Sequence, residues 1–219
     1  MTTHLRAAKE ESSIVDPRPM GRMNPVQIYT DAAGGDPSKI KNGIGCYTPP
    51  KNWSYMPWPN IIRDNRSNSE GVKFSHKLCS LEGFAAVCGL ASIPDVARNN
   101  EVVIYCDNAA FVAVFKKHHS KCPYAYTIAK ALADIGEGLG CKVQVEKTKR
   151  CSGIGEIAAD SLSKGDWDEA WQCMPDKDED PGRLPVSLLH WITNPLPDMN
   201  LGKKVLSDMS KYTKVLHLD

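Results

Sequence analysis

The sequence predicts an α/β fold: a mixed five-stranded sheet, with three strands in an antiparallel meander and two added in parallel, and helices on both faces. Three observations carry this expectation. Two apolar runs of strand length, residues 26–30 and 102–106, each lead straight into an aspartate. Short β-type runs come before the first of the long helical periodicities, and strands and helices alternate after it. A meander followed by alternating elements gives a mixed sheet covered by helices rather than a bundle or a sandwich.

The elements follow in order. Residues 1–24 mix charge, proline and serine around Asp16, Pro17, Arg18 and Pro19 and read as a flexible leader. Residues 26–30 make the first strand, and Ala32, Ala33, Gly34, Gly35, Asp36 and Pro37 turn the chain. Residues 43–47 are the second strand. The Pro- and Trp-rich stretch 49–59 and the polar stretch 63–71 then form a long excursion, and residues 72–74 read as the third strand.

Leu81, Ala85 and Cys88, at i, i+4 and i+7, predict a helix over residues 80–92, closed by Pro94 and the polar residues 98–101. Residues 102–106 are continuously apolar and rich in β-branched side chains, as a central buried strand is. Phe111, Val112 and Phe115 mark a short helix over 108–117. Ile128, Leu132 and Ile135 mark a longer one over 124–139, with Gly138 and Gly140 as its stop. Residues 141–145 are the last strand and 155–163 the last core helix. The domain therefore spans 25–173. Charge and proline make 174–181 a linker, and 174–219 an extension that docks on the core or connects to another segment.

Composition narrows the function. The chain of 219 residues is 42% hydrophobic, enough to bury one core. With 27 basic and 26 acidic side chains the formal net charge is +1, so affinity for nucleic acid must come from local patches. The eight cysteines form no CxxC pair and no zinc-type spacing with histidine. They read as reduced core thiols of a cytoplasmic or nuclear protein. The polar first residues lack the apolar core of a secretion signal, and no stretch reaches the roughly 18 apolar residues of a membrane span.

The chemistry lies in four acids set in unlike contexts. Asp31 and Asp107 end the two apolar strands, Glu82 sits in an Ala-rich helix, and Asp160 lies in the last core helix. A carboxylate at the end of a buried strand is costly unless a cation meets it. Adjacent strands would bring both aspartates to one sheet end, where converging carboxylates would raise each other's pKa. Hard divalent cations resolve such a cluster. Mg²⁺ takes oxygen ligands, and a pair of ions about 3.5–4 Å apart supports in-line phosphodiester displacement.

These residues resemble the D-E-D-D set of the ribonuclease H family. The carrying segments are Tyr29-Thr30-Asp31-Ala32-Ala33-Gly34, the Glu82 helix, Tyr105-Cys106-Asp107-Asn108 and Ala159-Asp160-Ser161-Leu162-Ser163-Lys164. They are most similar to the RNase H domain behind reverse transcriptases of LTR and tyrosine-recombinase retroelements. The resemblance covers about residues 25–165, with 51, 25 and 53 residues separating successive acids. It implies an RNase H-like fold and two Mg²⁺ ions, for which Mn²⁺ can stand in. Asp31 would bridge the ions, Glu82 and Asp107 would complete one site, and Asp160 the other. The implied reaction is endonucleolytic hydrolysis of the RNA strand of an RNA–DNA hybrid, leaving a 5′-phosphate and a 3′-hydroxyl. A reverse transcriptase domain in the same polyprotein is the implied partner. The chain departs from the family in the loop before the last helix, where Cys151 stands near the position of a histidine that many members carry. That departure implies slow turnover.

Substrate contacts fall on two basic runs. Lys116, Lys117 and Lys121 flank His118 and His119, and Lys147, Lys149 and Arg150 precede the last helix. Phosphate contacts of this kind add affinity without reading sequence. Asn108 follows an acid of the set and serves either as a substrate contact or as a helix cap. The small residues 32–35 allow close approach to a 2′-hydroxyl. Trp53, Tyr55 and Trp58 either stack on bases or pack their own loop. The alternative function is a catalytically silent RNase H-like scaffold that binds nucleic acid or protein. A 3′–5′ exonuclease would need Asp-x-Glu on the first strand, and Ala33 stands where that Glu would be. An integrase-type core would use a late Glu, such as Glu156, in place of Asp160.

Overall fold

The computed structural model describes residues 24–33, 42–59, 78–150, 152–193 and 197–213. Its centre is a five-stranded mixed sheet of order β3-β2-β1-β4-β5. The strands are β1 (Val26–Ala32), β2 (Gly43–Thr48), β3 (Asn52–Pro57), β4 (Glu101–Cys106) and β5 (Lys142–Lys147). β1 pairs with β2 and β2 with β3 antiparallel, whereas β4 joins β1, and β5 joins β4, in parallel.

The third strand differs from the expectation. It is Asn52–Pro57, inside the stretch read as an excursion, and residues 72–74 lie outside the described residues. Trp53 and Tyr55 alternate with Ser54 and Met56, a period-2 pattern concealed by the prolines around it. Pro57 is tolerated because β3 is at the edge of the sheet.

Helices cover both faces. α1 (Leu78–Ala91) lies on one, α2 (Pro94–Ala97) is a single turn, and α3 (Ala109–Lys117) and α4 (Pro123–Leu139) follow β4. α5 (Ile154–Lys164) lies on the opposite face and is followed by α6 (Trp167–Cys173), α7 (Val186–Thr193) and α8 (Leu201–Thr213). Strand alternation proves the two-sidedness. Cys46 Sγ donates to the Ala85 carbonyl of α1 at 3.3 Å, while its neighbour Gly45 lies under α5. A Cβ on Gly45 would stand 2.3 Å from the Ala159 carbonyl oxygen, so only glycine lets α5 lie this close.

The main core lies between the sheet and α1, α3 and α4. Ile28, Phe84, Ile104, Phe111, Ile128 and Leu132 are all buried there. α4 presents Ile128, Leu132 and Ile135 to it and stops at Gly140, which has a left-handed backbone with φ +66°.

The extension after residue 173 belongs to the same core. Leu188, Trp191 and Ile192 of α7 and Leu201, Val205 and Met209 of α8 are buried in it, and Trp191 stacks on Phe84. The stretch 174–181, charged enough to read as a linker, runs beside the edge strand. Asp178 N–H donates to the Lys51 carbonyl at 2.9 Å, and Trp53 Nε1 donates to the Asp178 carbonyl at 2.7 Å. Contacts of this sort cover an otherwise exposed sheet edge.

Candidate active site

The register of β1 and β4 creates the site. Thr30 pairs with Cys106 in a parallel ladder, so Asp31 and the residue after β4, Asp107, emerge side by side at the carboxyl end of both strands. β1 is also where pairing changes from antiparallel to parallel, and crevices at such a switch point are common ligand sites. Glu82 arrives from the second turn of α1, as the one acid in a helix otherwise apolar or small.

Asp31, Glu82 and Asp107 each place a carboxylate oxygen within 4.8 Å of the other two. Asp31 is 7% exposed and Glu82 3%. Burial, then the charges of Asp160 and Asp107, push the Asp31 carboxyl up from 3.8 to about 6, against a hydrogen bond from Ser163 and the pull of Arg150. Burial, then Asp31 and Asp107, push Glu82 from 4.5 to about 10, against a hydrogen bond from the Ala32 backbone and the pull of Arg150. Glu82 Oε2 is buried and has no hydrogen-bond partner.

These residues fit a hard divalent cation. Octahedral Mg²⁺ with bonds of about 2.1 Å sets its ligand oxygens about 3–4.2 Å apart, near the spread of the trio. A buried carboxylate oxygen without a donor is unfavourable in the free protein and is satisfied by a cation. Oxygen-only donors select Mg²⁺, Mn²⁺ or Ca²⁺ rather than zinc or copper.

Asp160 lines the same cleft as Asp31 and Asp107 but stands apart from the trio. Its Oδ1 accepts from Arg150 Nη2 at 3.0 Å and Nε at 3.3 Å, and its Oδ2 pairs with Lys164 one turn further along α5. The sequence reading did not single out Ser163. Its hydroxyl meets Asp31 Oδ2 and the Asp160 carbonyl, tying β1 to α5. The signal was present, because Ser163 lies three residues after Asp160 and so on the same helix face. Glu156, one turn before Asp160, also lines the cleft and accepts from Thr148 Oγ1 at 2.6 Å. Tyr29 and Tyr105 stack at 4.9 Å on adjacent strands below it.

The basic residues divide. Arg150 is in the cleft. Lys116 is paired with Glu146 at 2.8 Å, while Lys117, Lys121, Lys147 and Lys149 are exposed. Asn108 is the cap of α3, its side chain accepting from Phe111 N–H at 3.0 Å. Trp58 is buried in the main core, and its Nε1 donates to the Ala33 carbonyl just after β1 at 2.9 Å. Cys151, Gly34 and Gly35 lie outside the described residues.

The chain matches no family model, no curated protein and no solved structure. Among the described residues no helix is long and apolar enough to cross a membrane.

Proposed function

We propose that this chain is a divalent-metal-dependent nuclease of the RNase H type, hydrolysing the RNA strand of RNA–DNA hybrids. The observation that carries this reading is the trio of Asp31 and Asp107, at the carboxyl ends of two parallel strands, with the buried Glu82 and its unpartnered oxygen beside them. The five-stranded mixed sheet, antiparallel from β1 to β3 and parallel from β1 through β4 to β5, with helices on both faces, is consistent with the RNase H-like arrangement that the resemblance implies.

In this reading Asp31, Glu82 and Asp107 would hold one Mg²⁺, and Asp31 with Asp160 would hold a second. When bound, such ions lower the pKa of a water and stabilise charge on the leaving oxygen. Water oxygen would then bond to phosphorus as the P–O3′ bond breaks, with one water proton lost on attack and a proton gained by O3′, giving a 3′-hydroxyl and a 5′-phosphate. Glu82 keeps its proton near neutrality in the free protein and gives it up on loading. Ser163 fixes the Asp31 carboxylate through Oδ2. Arg150 and the exposed Lys117, Lys121, Lys147 and Lys149 hold backbone phosphates, with Lys116 and Asn108 beside them. A reverse transcriptase domain of a retroelement polyprotein is the natural supplier of such a hybrid.

One observation favours the second reading, a silent hybrid-binding scaffold: both Asp160 oxygens already face cations. Labelled RNA–DNA hybrid incubated with Mg²⁺ separates the two. Cleavage by the wild type that is lost in Asp107→Asn supports the nuclease. A hybrid that is bound but left intact by the wild type supports the scaffold and overturns the nuclease.

A further inference from the structure

Asp160 poses a problem for any two-ion site. Its side chain is 8% exposed, yet both oxygens are occupied, Oδ1 by the Arg150 guanidinium and Oδ2 by Lys164. An oxygen that accepts two guanidinium hydrogen bonds, as Oδ1 does, has no lone pair left for a metal until the guanidinium leaves. The two grips are unequal. Lys164 is four residues along the same helix, an intrahelical neighbour that moves with Asp160. Arg150 comes from the segment after β5, and its side chain is 61% exposed. Arg150 also lines the cleft beside Asp31, so its guanidinium lies where a phosphate would enter.

We propose that Arg150 is a positioning residue, a latch that holds Asp160 out of the metal site until a substrate phosphate takes the guanidinium. Guanidinium binds phosphate through paired hydrogen bonds, replacing the two it makes to Asp160 Oδ1. Oδ1 is then free toward Asp31, while Lys164 keeps Oδ2 fixed. The exchange is between non-covalent partners: no covalent bond forms or breaks, and the guanidinium stays charged throughout. It couples completion of the site to occupancy by nucleic acid, and it leaves the trio as the only ion site among the described residues before substrate arrives. This inference rests on the metal-dependent reading above.

The test is Mn²⁺ binding to the full chain without nucleic acid, counted by calorimetry and by Mn²⁺ electron paramagnetic resonance. The wild type is expected to take about one ion, Arg150→Ala about two, and Arg150→Ala with Asp160→Asn about one again. Arg150→Lys, which keeps the charge but loses the fork, is expected to bind the second ion at intermediate strength. Arg150 is mostly exposed, so its truncation leaves no cavity in the core, and a single cooperative thermal transition in EDTA verifies that the variant is folded. If wild type and Arg150→Ala both take one ion, lost in Asp31→Asn, the latch is wrong and the metal site stands. If neither protein takes an ion, the metal site is wrong and the latch falls with it.

Discussion

Asp31→Asn is expected to stabilise the metal-free protein while destroying its response to metal. The folded chain holds a proton on Asp31 up to about pH 6, against 3.8 for the free side chain, because the carboxyl is buried beside Asp160 and Asp107. Between those two values the folded state binds more protons than the unfolded state, so raising the pH favours unfolding. Once the pH exceeds about 6 the whole difference is felt. It amounts to about 3 kcal/mol, at about 1.36 kcal/mol for each factor of ten in acidity. The amide of the variant carries no charge to bury and keeps one oxygen to accept from Ser163. Urea or thermal unfolding in EDTA, from about pH 3.5 to 7.5, is the assay. The two proteins should match at the acid end. The variant should pull ahead by up to about 3 kcal/mol, or about 6–12 °C in midpoint for a chain of this size, at the neutral end. Added Mg²⁺ should stabilise the wild type and leave the variant unmoved, reversing the order. A variant less stable than wild type at about pH 7.5 in EDTA, or one that still responds to Mg²⁺, would refute the argument from burial.

Other expectations follow from the same coordinates. Because Glu82 stays protonated to about pH 10, loading Mn²⁺ at about pH 7.5 should release about one proton, absent in Glu82→Gln. Calorimetry in buffers of different ionisation enthalpy reads this, and buffer-independent heats would count against it. Gly45→Ala should cost roughly 1–3 kcal/mol and weaken metal binding, since the new Cβ would meet the Ala159 oxygen and the Ser163 nitrogen and push α5 off the sheet. Undisturbed unfolding and affinity would show that α5 moves freely. Trp191→Ala should cost about 3–5 kcal/mol, because the ring is 4% exposed and stacked on Phe84. A loss below about 1 kcal/mol in urea unfolding would mean that α7 is not part of the cooperative core.

Much of the fold is legible in local pattern. Apolar runs of strand length place β1 and β4, and period-3.6 signals place α1 and α4, to within a few residues, since burial on both faces of a sheet and on one face of a helix imposes those patterns. β3 escaped because Trp and Pro at an edge strand satisfy different demands from those of a central one. The segment around Asp178 looked like a linker because its side chains are charged, whereas backbone hydrogen bonds, the Trp53 indole and the Lys51–Asp178 pair hold it beside β3. The acids themselves were visible as charges in apolar settings. The pairing of Thr30 with Cys106 is what makes Asp31 and Asp107 neighbours, and the packing of α1 is what brings Glu82 to them. Whether Asp160 faces a metal or a guanidinium depends on where Arg150 comes to rest after β5. Residue order sets which groups exist and which periods they follow. Contacts between segments far apart in the chain set each group's burial and partners, and with them its charge and chemistry.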